Sequence, residues 1–376
     1  MGSVHAKGRA NCIGARITQV VTEVLRVDAV HPDKTLIARA AECLRAGGLV
    51  AFPTETVYGL GAHALDRQAI EKLFAAKERP ANDPMIVHVI GIDSMAALVE
   101  DVPHTARKLA ARFWPGPLTI VLRRSSRVPD EVTAGLDTVA IRVPSHPVAR
   151  ALLEIAGVPI AAPSANLFSR PSPTRASHVL ADLDGRIDII IDGGATEVGL
   201  ESTVVDLSVE PPAVLRPGAI DVEALRAVLP DVTVGRAARG GDATMRSPGL
   251  QARHYSPRTP LMLYEGNRET ALGLMKETAR RLTNRGDAAV VLAYGEDIDE
   301  LRSLNVQVVE LGHENDPATV AGRLYAALRE CDELGAHVIL VRNITARHPL
   351  SGAIQDRLRR AARASTPAQT GREEEE

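Results

Sequence analysis

Four polar stretches hold the residues able to do chemistry, and each borders an apolar run. Pro53–Gly59 reads Pro-Thr-Glu-Thr-Val-Tyr-Gly and leaves the strand-like segment Leu49–Phe52. Thr54, Glu55, Thr56 and Tyr58 thus crowd hydrogen-bonding groups at a strand end, where open α/β sheets form ligand sites. A plain polar turn accounts for the same residues. Lys77-Glu-Arg79-Pro-Ala-Asn-Asp83-Pro84 puts two cations at a helix end stiffened by prolines, a geometry suited to gripping phosphate oxygens. The helix dipole alone explains Lys77, and Arg79 less well. Ile160-Ala-Ala162-Pro-Ser164-Ala-Asn166 runs on to Arg170-Pro-Ser172-Pro-Thr174. Its small residues admit a ligand to the backbone, and Thr174 is the expected cap of a helix whose free N–H groups would meet an anion near Ser172. Ordinary Ser/Pro turn chemistry is the alternative. Finally, Arg142 interrupts an apolar strand, Ser202 precedes another, and Arg216-Pro-Gly218 closes a third. A buried arginine calls for an anionic partner, although a surface arginine is the commoner fate. Together these groups suit an anionic, phosphate-bearing ligand.

Several familiar chemistries are missing from the chain. There is no Walker loop, kinase signature, nucleophile elbow or H-E-x-x-H. Gly59-Leu-Gly61-Ala-His-Ala64 imitates a dinucleotide fingerprint, but the helix signal starts only at Asp66, too late for that motif. The histidines are scattered without metal-ligand spacing. His88, inside Met85–Val89, reads first as a core histidine. The 3 cysteines include no C-x-x-C, which points to a reducing, cytoplasmic setting. Lys+Arg 44 against Asp+Glu 47 gives a net charge of -3, and aromatics are 3%, so both weigh against a dedicated nucleic-acid binder and against direct tRNA binding. No apolar run approaches the length of a membrane span.

The elements that must position these residues follow from periodicity. Helices are predicted at Lys34–Arg45, Arg67–Lys77 (Asp66 capping), Thr105–Phe113, Pro147–Ala156, Arg175–Leu183 and Val222–Val228. Strands are predicted at 49–52, 85–89, 118–122, 139–143, 160–162, 187–191, 203–206 and 213–215. Their alternation predicts an α/β layer architecture. Residues 1–27 read as a loose leader and 28–234 as one α/β domain. Residues 235–260, rich in Gly, Arg, Ser and Pro, read as a linker. A second, smaller α/β unit spans 261–365, with strands at 261–264, 288–293, 306–311 and 338–341 and helices at 269–285, 318–334 and 354–363. An acidic tail, 366–376, ends the chain.

The ordered motifs FPTETVYGLG, K-x-R-P with D-P-M-I-V-H, A-P-S-A-N with S-P-T, E-S-T-V-V-D and V-L-R-P-G resemble the YrdC-like family of threonylcarbamoyl-adenylate synthases from about residue 28 to 228. Ser247–Pro257 resembles the connector of the family's long form, and Leu350-Ser-Gly-Ala-Ile with Asp356-Arg-Leu resembles its C-terminal domain. The resemblance implies a YrdC-like twisted mixed sheet with helices around a concave site, plus a smaller Rossmann-like domain. It implies that L-threonine, bicarbonate and ATP give threonylcarbamoyl-AMP and pyrophosphate, for threonylcarbamoylation of tRNA adenosine by a separate transferase complex. By the same resemblance Thr56, His88, Arg142 and Ser202 hold threonine. Lys77, Arg79, Asp83, Thr138, Ala162, Ser164, Asn166, Ser172 and Arg216 contact ATP, with Lys77 and Arg79 neutralising charge in catalysis. His254 and Tyr255 close over the site, making 235–260 a lid. Mg²⁺ comes with the ATP phosphates rather than in a protein cage. Asp83 stands where the family commonly has asparagine, with Asn82 adjacent, and Leu250 where methionine is usual. The rival expectation is a double-stranded RNA-binding module without this catalysis, recognisable by steep salt dependence.

Overall fold

The computed structural model describes residues 21–235 and 255–363. Most of the leader, linker residues 236–254 with His254, and the acidic tail lie outside the described residues. The first unit is built on one twisted mixed sheet of 11 strands. From one edge it runs β1 (Glu23–Arg26), β8 (Ile189–Asp192), β2 (Val50–Pro53), β3 (Tyr58–His63), β7 (Ile160–Ala161) and β4 (Ile86–His88). It continues through β6 (Thr138–Arg142), β5 (Leu118–Arg123), β9 (Thr203–Asp206), β10 (Ala213–Arg216) and β11 (Thr233–Val234).

Along β2 and β8 both faces are apolar, because helices cover both. Val50, Phe52, Ile189 and Ile191 pack with α1 (Lys34–Arg45) and α6 (Pro147–Ala156), whereas Ala51 and Ile190 join the larger core on the opposite side. Capping fixes where these helices begin. Asp33 accepts from the amides of Thr35 and Leu36 at 2.7 and 3.3 Å, and His146 Nδ1 accepts from Val148 at 3.2 Å.

Strands β4, β6, β5 and β9 differ. Leu118, Ile120, Leu122, Val139, Ile141 and Val205 enter the large core, while the alternate positions Ile86, Val121, Ala140 and Val204 form a separate small apolar patch with Leu215. Thr138, Ala140 and Arg142 share that second face by strand alternation, as do Thr119 and Val121. Ile86 of this patch and Arg142 at its end line the candidate site.

The second unit is a parallel sheet ordered β12 (Leu261–Tyr264), β15 (Val338–Arg342), β13 (Ala289–Tyr294), β14 (Gln307–Gly312). Helices α9 (Arg268–Arg285) and α10 (Ile298–Arg302) cover one face, and α11 (Pro317–Glu333) and α12 (Ser351–Arg363) the other. This is the expected two-faced α/β arrangement. Val57 and Leu200 of the first unit are buried in the core of the second, so the two are packed together. Among the described residues no helix is long and apolar enough to cross a membrane.

Three local expectations change. The leader contains β1, paired in parallel with β8. The polar loop ends at Val57, because Tyr58–His63 is a strand returning antiparallel to β2. Gly59 and Gly61 lie inside that strand: a Cβ at Gly61 would come within 2.9 Å of both Ile160 and Phe52, so these glycines serve close packing and not a phosphate turn. Helix α7 (Ala176–Leu183) has Arg175, not Thr174, at its cap position, with no side-chain cap bond.

Candidate active site

The turn between β2 and β3 is shaped by its own threonines. Thr54 Oγ1 donates to Val57 O at 2.7 Å, and the Thr56 amide donates back to Thr54 Oγ1 at 3.2 Å, an arrangement that turns the chain without glycine. It presents Thr56 and Glu55 to Arg142, the last residue of β6. Arg142 Nη1 donates to Thr56 Oγ1 at 2.9 Å, Nη2 pairs with Glu55 Oε1 at 2.8 Å, and Nε donates to Gly116 O at 3.3 Å. Both members of the ion pair are buried (4% exposed each). Burial pushes the Glu55 carboxyl up, but Arg142 outweighs it and holds the pKa below the ordinary glutamate value.

His88 is opposite Arg142 in the β4–β6 register and lines the same pocket. Burial, then the Arg142 cation, push its pKa down to about 3, so its imidazole is neutral near pH 7. Its Nδ1 is buried and has no hydrogen-bond partner in the protein. On the other side Ser202 Oγ and Thr119 Oγ1 lie 2.8 Å apart. Arg216 donates to Ser202 O and Oγ, both at 3.1 Å. Thr56, His88, Arg142 and Ser202, four residues far apart in the chain, are therefore brought together.

The Lys77–Pro84 segment divides in two. Helix α2 (Arg67–Lys77) ends through Glu78 in the left-handed region (φ 54°), with the amides of Glu78 and Arg79 returning to Ala75 O and Phe74 O. The turn buries Lys77, whose Nζ donates to Ser164 O and Asn166 O at 2.5 Å each. Burial, then Arg79, push the lysine pKa well below its ordinary value. Lys77 stands behind the pocket wall and not in it, so the expected two-cation clamp becomes one cation, Arg79, in front and a buried loop anchor behind. Arg79 lines the pocket, pairs with Asp83 at 2.9 Å, and donates to Asp83 O and Pro84 O. Asp83 in place of an amide thus holds Arg79.

Ala162, Pro163 and Ser164 form the facing wall. Asn166 and Ser172 do not reach it. Asn166 Nδ2 donates to Leu167 O and Arg170 O, and Ser172 Oγ donates to Glu201 Oε1 at 2.5 Å. Thr138 begins β6, about 13 Å along the same strand face from Arg142 at roughly 3.3 Å per residue, at the far end of the apolar patch. Tyr255 lines the pocket, with φ 61° and 1% exposure. His254 lies outside the described residues.

Sequence reasoning assigned no role to Glu201, although it is buried and lines the pocket. The one available signal was a charged residue directly ahead of a buried strand. It also missed that Tyr325 and Arg357 of the second unit reach this wall, which no local pattern announces. Among the described residues no group of three His, Cys, Asp or Glu could hold a metal ion.

Comparison with known proteins agrees with this geometry. Residues 42–218 match the Sua5_yciO_yrdC family, described as telomere recombination, and 220–363 match the threonylcarbamoyl-AMP synthase C-terminal domain. The threonylcarbamoyl-AMP synthase of Pyrococcus abyssi is 43% identical over 325 residues, covering 86% of this chain and 93% of that protein. That of Bacillus subtilis is 42% identical over 339 residues, covering 89% and 95%. The crystal structure of P. abyssi Sua5 complexed with L-threonine aligns with a TM-score of 0.83 at 39% identity, covering 92% of this chain and 98% of that one. With both domains matched and most of the chain aligned, this protein belongs to the Sua5/YciO/YrdC family, in the two-domain form that ends in the threonylcarbamoyl-AMP synthase C-terminal domain.

Proposed function

We propose that this chain is a nucleotidyltransferase that converts L-threonine, bicarbonate and ATP into threonylcarbamoyl-AMP and pyrophosphate. Its product would serve a separate transferase complex acting on tRNA adenosine. The observation that supports this most is the convergence of Thr56, Arg142, Ser202 and neutral His88 at one end of an apolar floor flanked by Arg79 and Arg216.

Threonine's carboxylate is met by Arg142. Of the five N–H donors of a guanidinium, that of Nε and one of Nη1 are committed to Gly116 and Thr56, while Nη2 is ion-paired with Glu55 without a hydrogen bond, leaving donors for the substrate. The guanidinium is therefore already partly used. Thr56 and Ser202 offer hydroxyls beside it. The neutral His88 accepts or donates one hydrogen bond without repelling a substrate ammonium. The patch of Ile86, Val121, Ala140 and Val204 then lies where a nucleoside can rest, with Thr138 at its distal end.

Bicarbonate takes up a proton and loses water to give CO2, and the unprotonated threonine amine adds to its carbon, releasing its N–H proton to solvent, to give a carbamate. A carbamate oxygen attacks the α-phosphorus, and the bond to pyrophosphate breaks with the electron pair leaving on pyrophosphate. Such a displacement needs alignment and charge neutralisation rather than a protein nucleophile. Arg79 and Arg216 supply positive charge from the wall. Mg²⁺ carried on the ATP phosphates would supply further neutralisation there. Tyr255, buried at the pocket edge, keeps water from the anhydride on its side.

The double-stranded RNA-binding alternative is not favoured, because Arg79, Arg142 and Arg216 are buried and engaged with carboxylates, hydroxyls and carbonyls instead of forming an exposed basic surface. Pyrophosphate release from ATP, with threonine and bicarbonate omitted in turn, tests the proposal. Release that is indifferent to threonine would overturn it.

A further inference from the structure

Glu201 takes its partners from the other domain. It sits in the pocket wall immediately before Ser202. Arg357 Nε of α12 donates to its Oε2 at 2.9 Å, and the Tyr325 hydroxyl of α11 donates to the same atom at 2.8 Å. Ser172 takes Oε1, as described above. Arg357 also donates to Pro217 O at 3.1 Å, next to Arg216, and lies 5.1 Å over the Tyr255 ring, which stacks on Tyr325. Burial pushes the Glu201 carboxyl up, but Arg357 first and Arg216 second outweigh it and hold the pKa at about 2. The carboxylate is thus held by a guanidinium of the C-terminal domain, while Arg216, bonded to the next residue Ser202, lines the same pocket.

We propose that Arg357 and Tyr325 are positioning residues for the reaction: by holding the Glu201 carboxylate toward the C-terminal domain, they keep Arg216 on Ser202 and facing the pocket. This rests on the reading of the pocket given above. A buried carboxylate stripped of its cation takes another if one is in reach. Arg216, bonded to the adjacent Ser202 and lining the same pocket, is the cation in reach, so undocking of the C-terminal domain sets Glu201 and the ATP phosphates in competition for one guanidinium. The site is then complete only while the two domains are packed together.

This predicts a distinctive kinetic signature in the full chain. In Arg357→Met, the KM for ATP should rise about 10- to 100-fold, the range for one charge-assisted contact, while kcat at saturating ATP is largely kept. Tyr325→Phe should shift KM the same way by less. Glu201→Gln combined with Arg357→Met should return KM toward the parent value, because the competing charge is gone. An unchanged ATP KM with a rate reduced only in proportion to folded protein would overturn the proposal, as would a double variant no better than the single one. If Arg357→Met does not fold, Tyr325→Phe decides alone, and an unchanged KM refutes. Hydrogen exchange over residues 201–206 needs no substrate: acceleration in Arg357→Met that the double variant reverses supports the coupling, and no change refutes it. Absence of threonine-dependent turnover in the unsubstituted chain would instead remove the reaction assignment, leaving the exchange result to judge the coupling.

Discussion

Removing the Glu55 side chain isolates one buried charge and gives a result that can be worked from the structure. Arg142 and Glu55 are both nearly inaccessible and 2.8 Å apart, and Glu55 Oε2 also accepts from the Ser145 amide at 3.2 Å. Breaking a buried pair by deleting one partner costs about 3–5 kcal/mol, because the remaining charge is desolvated and uncompensated. At roughly 2–4 °C per kcal/mol for a unit of this size, Glu55→Ala should lower the melting temperature of the first domain by about 6–20 °C. Glu55→Gln, which keeps an acceptor, should fall between. A threonine carboxylate would replace the missing counter-charge, so millimolar threonine should raise the melting temperature of Glu55→Ala more than that of the parent. Differential scanning calorimetry with and without threonine reads both effects. A Glu55→Ala protein that melts within two degrees of the parent (about 1 kcal/mol or less), or gains no extra protection from threonine, would show that Arg142 does not depend on this carboxylate and is not the carboxylate-binding group.

Other outcomes follow from the same geometry. Arg79→Ala should lower kcat/KM for ATP by about 100- to 1000-fold, taking one lost oxyanion-type donor as the guide, and near-parent turnover in a folded variant would exclude Arg79 from the phosphates. Because the His88 pKa lies near 3, its charge is absent throughout neutral pH. The rate profile should therefore show no ionisation near pH 6–7 traceable to it, and a break that vanishes in His88→Gln would contradict the neutral assignment. The Glu201 carboxylate, depressed to about 2 from 4.5, contributes stability above the unfolded pKa that is lost as pH falls through the folded one. Folding stability should accordingly fall between about pH 4.5 and 2, by on the order of 3 kcal/mol at about 1.4 per pH unit, domain docking losing the part due to Arg357, and hydrogen exchange across this range should flatten in Glu201→Gln.

Periodicity and caps determined the elements wherever the physics is local. Asp66 with Ile70, Leu73 and Phe74 defines α2 to the residue, and Pro147 with its apolar stripe does the same for α6. The polar residues at strand ends likewise announced a site for an anion, because an arginine or serine inside a Val/Ile run is costly unless it is used. Tertiary structure alone decided which of those groups face the ligand. Lys77 and Arg79 are two residues apart, yet one is turned onto the Ser164 and Asn166 carbonyls and the other into the pocket, by a left-handed turn at Glu78 that no motif marks. The strand Tyr58–His63 escaped notice because its glycines look like a loop until Ile160 and Phe52 are packed against them. Glu201 is the furthest case, since its meaning comes from Arg357, 156 residues away. A buried charge is governed by whichever partner the fold delivers to it, and that distance in the chain leaves no trace in local pattern.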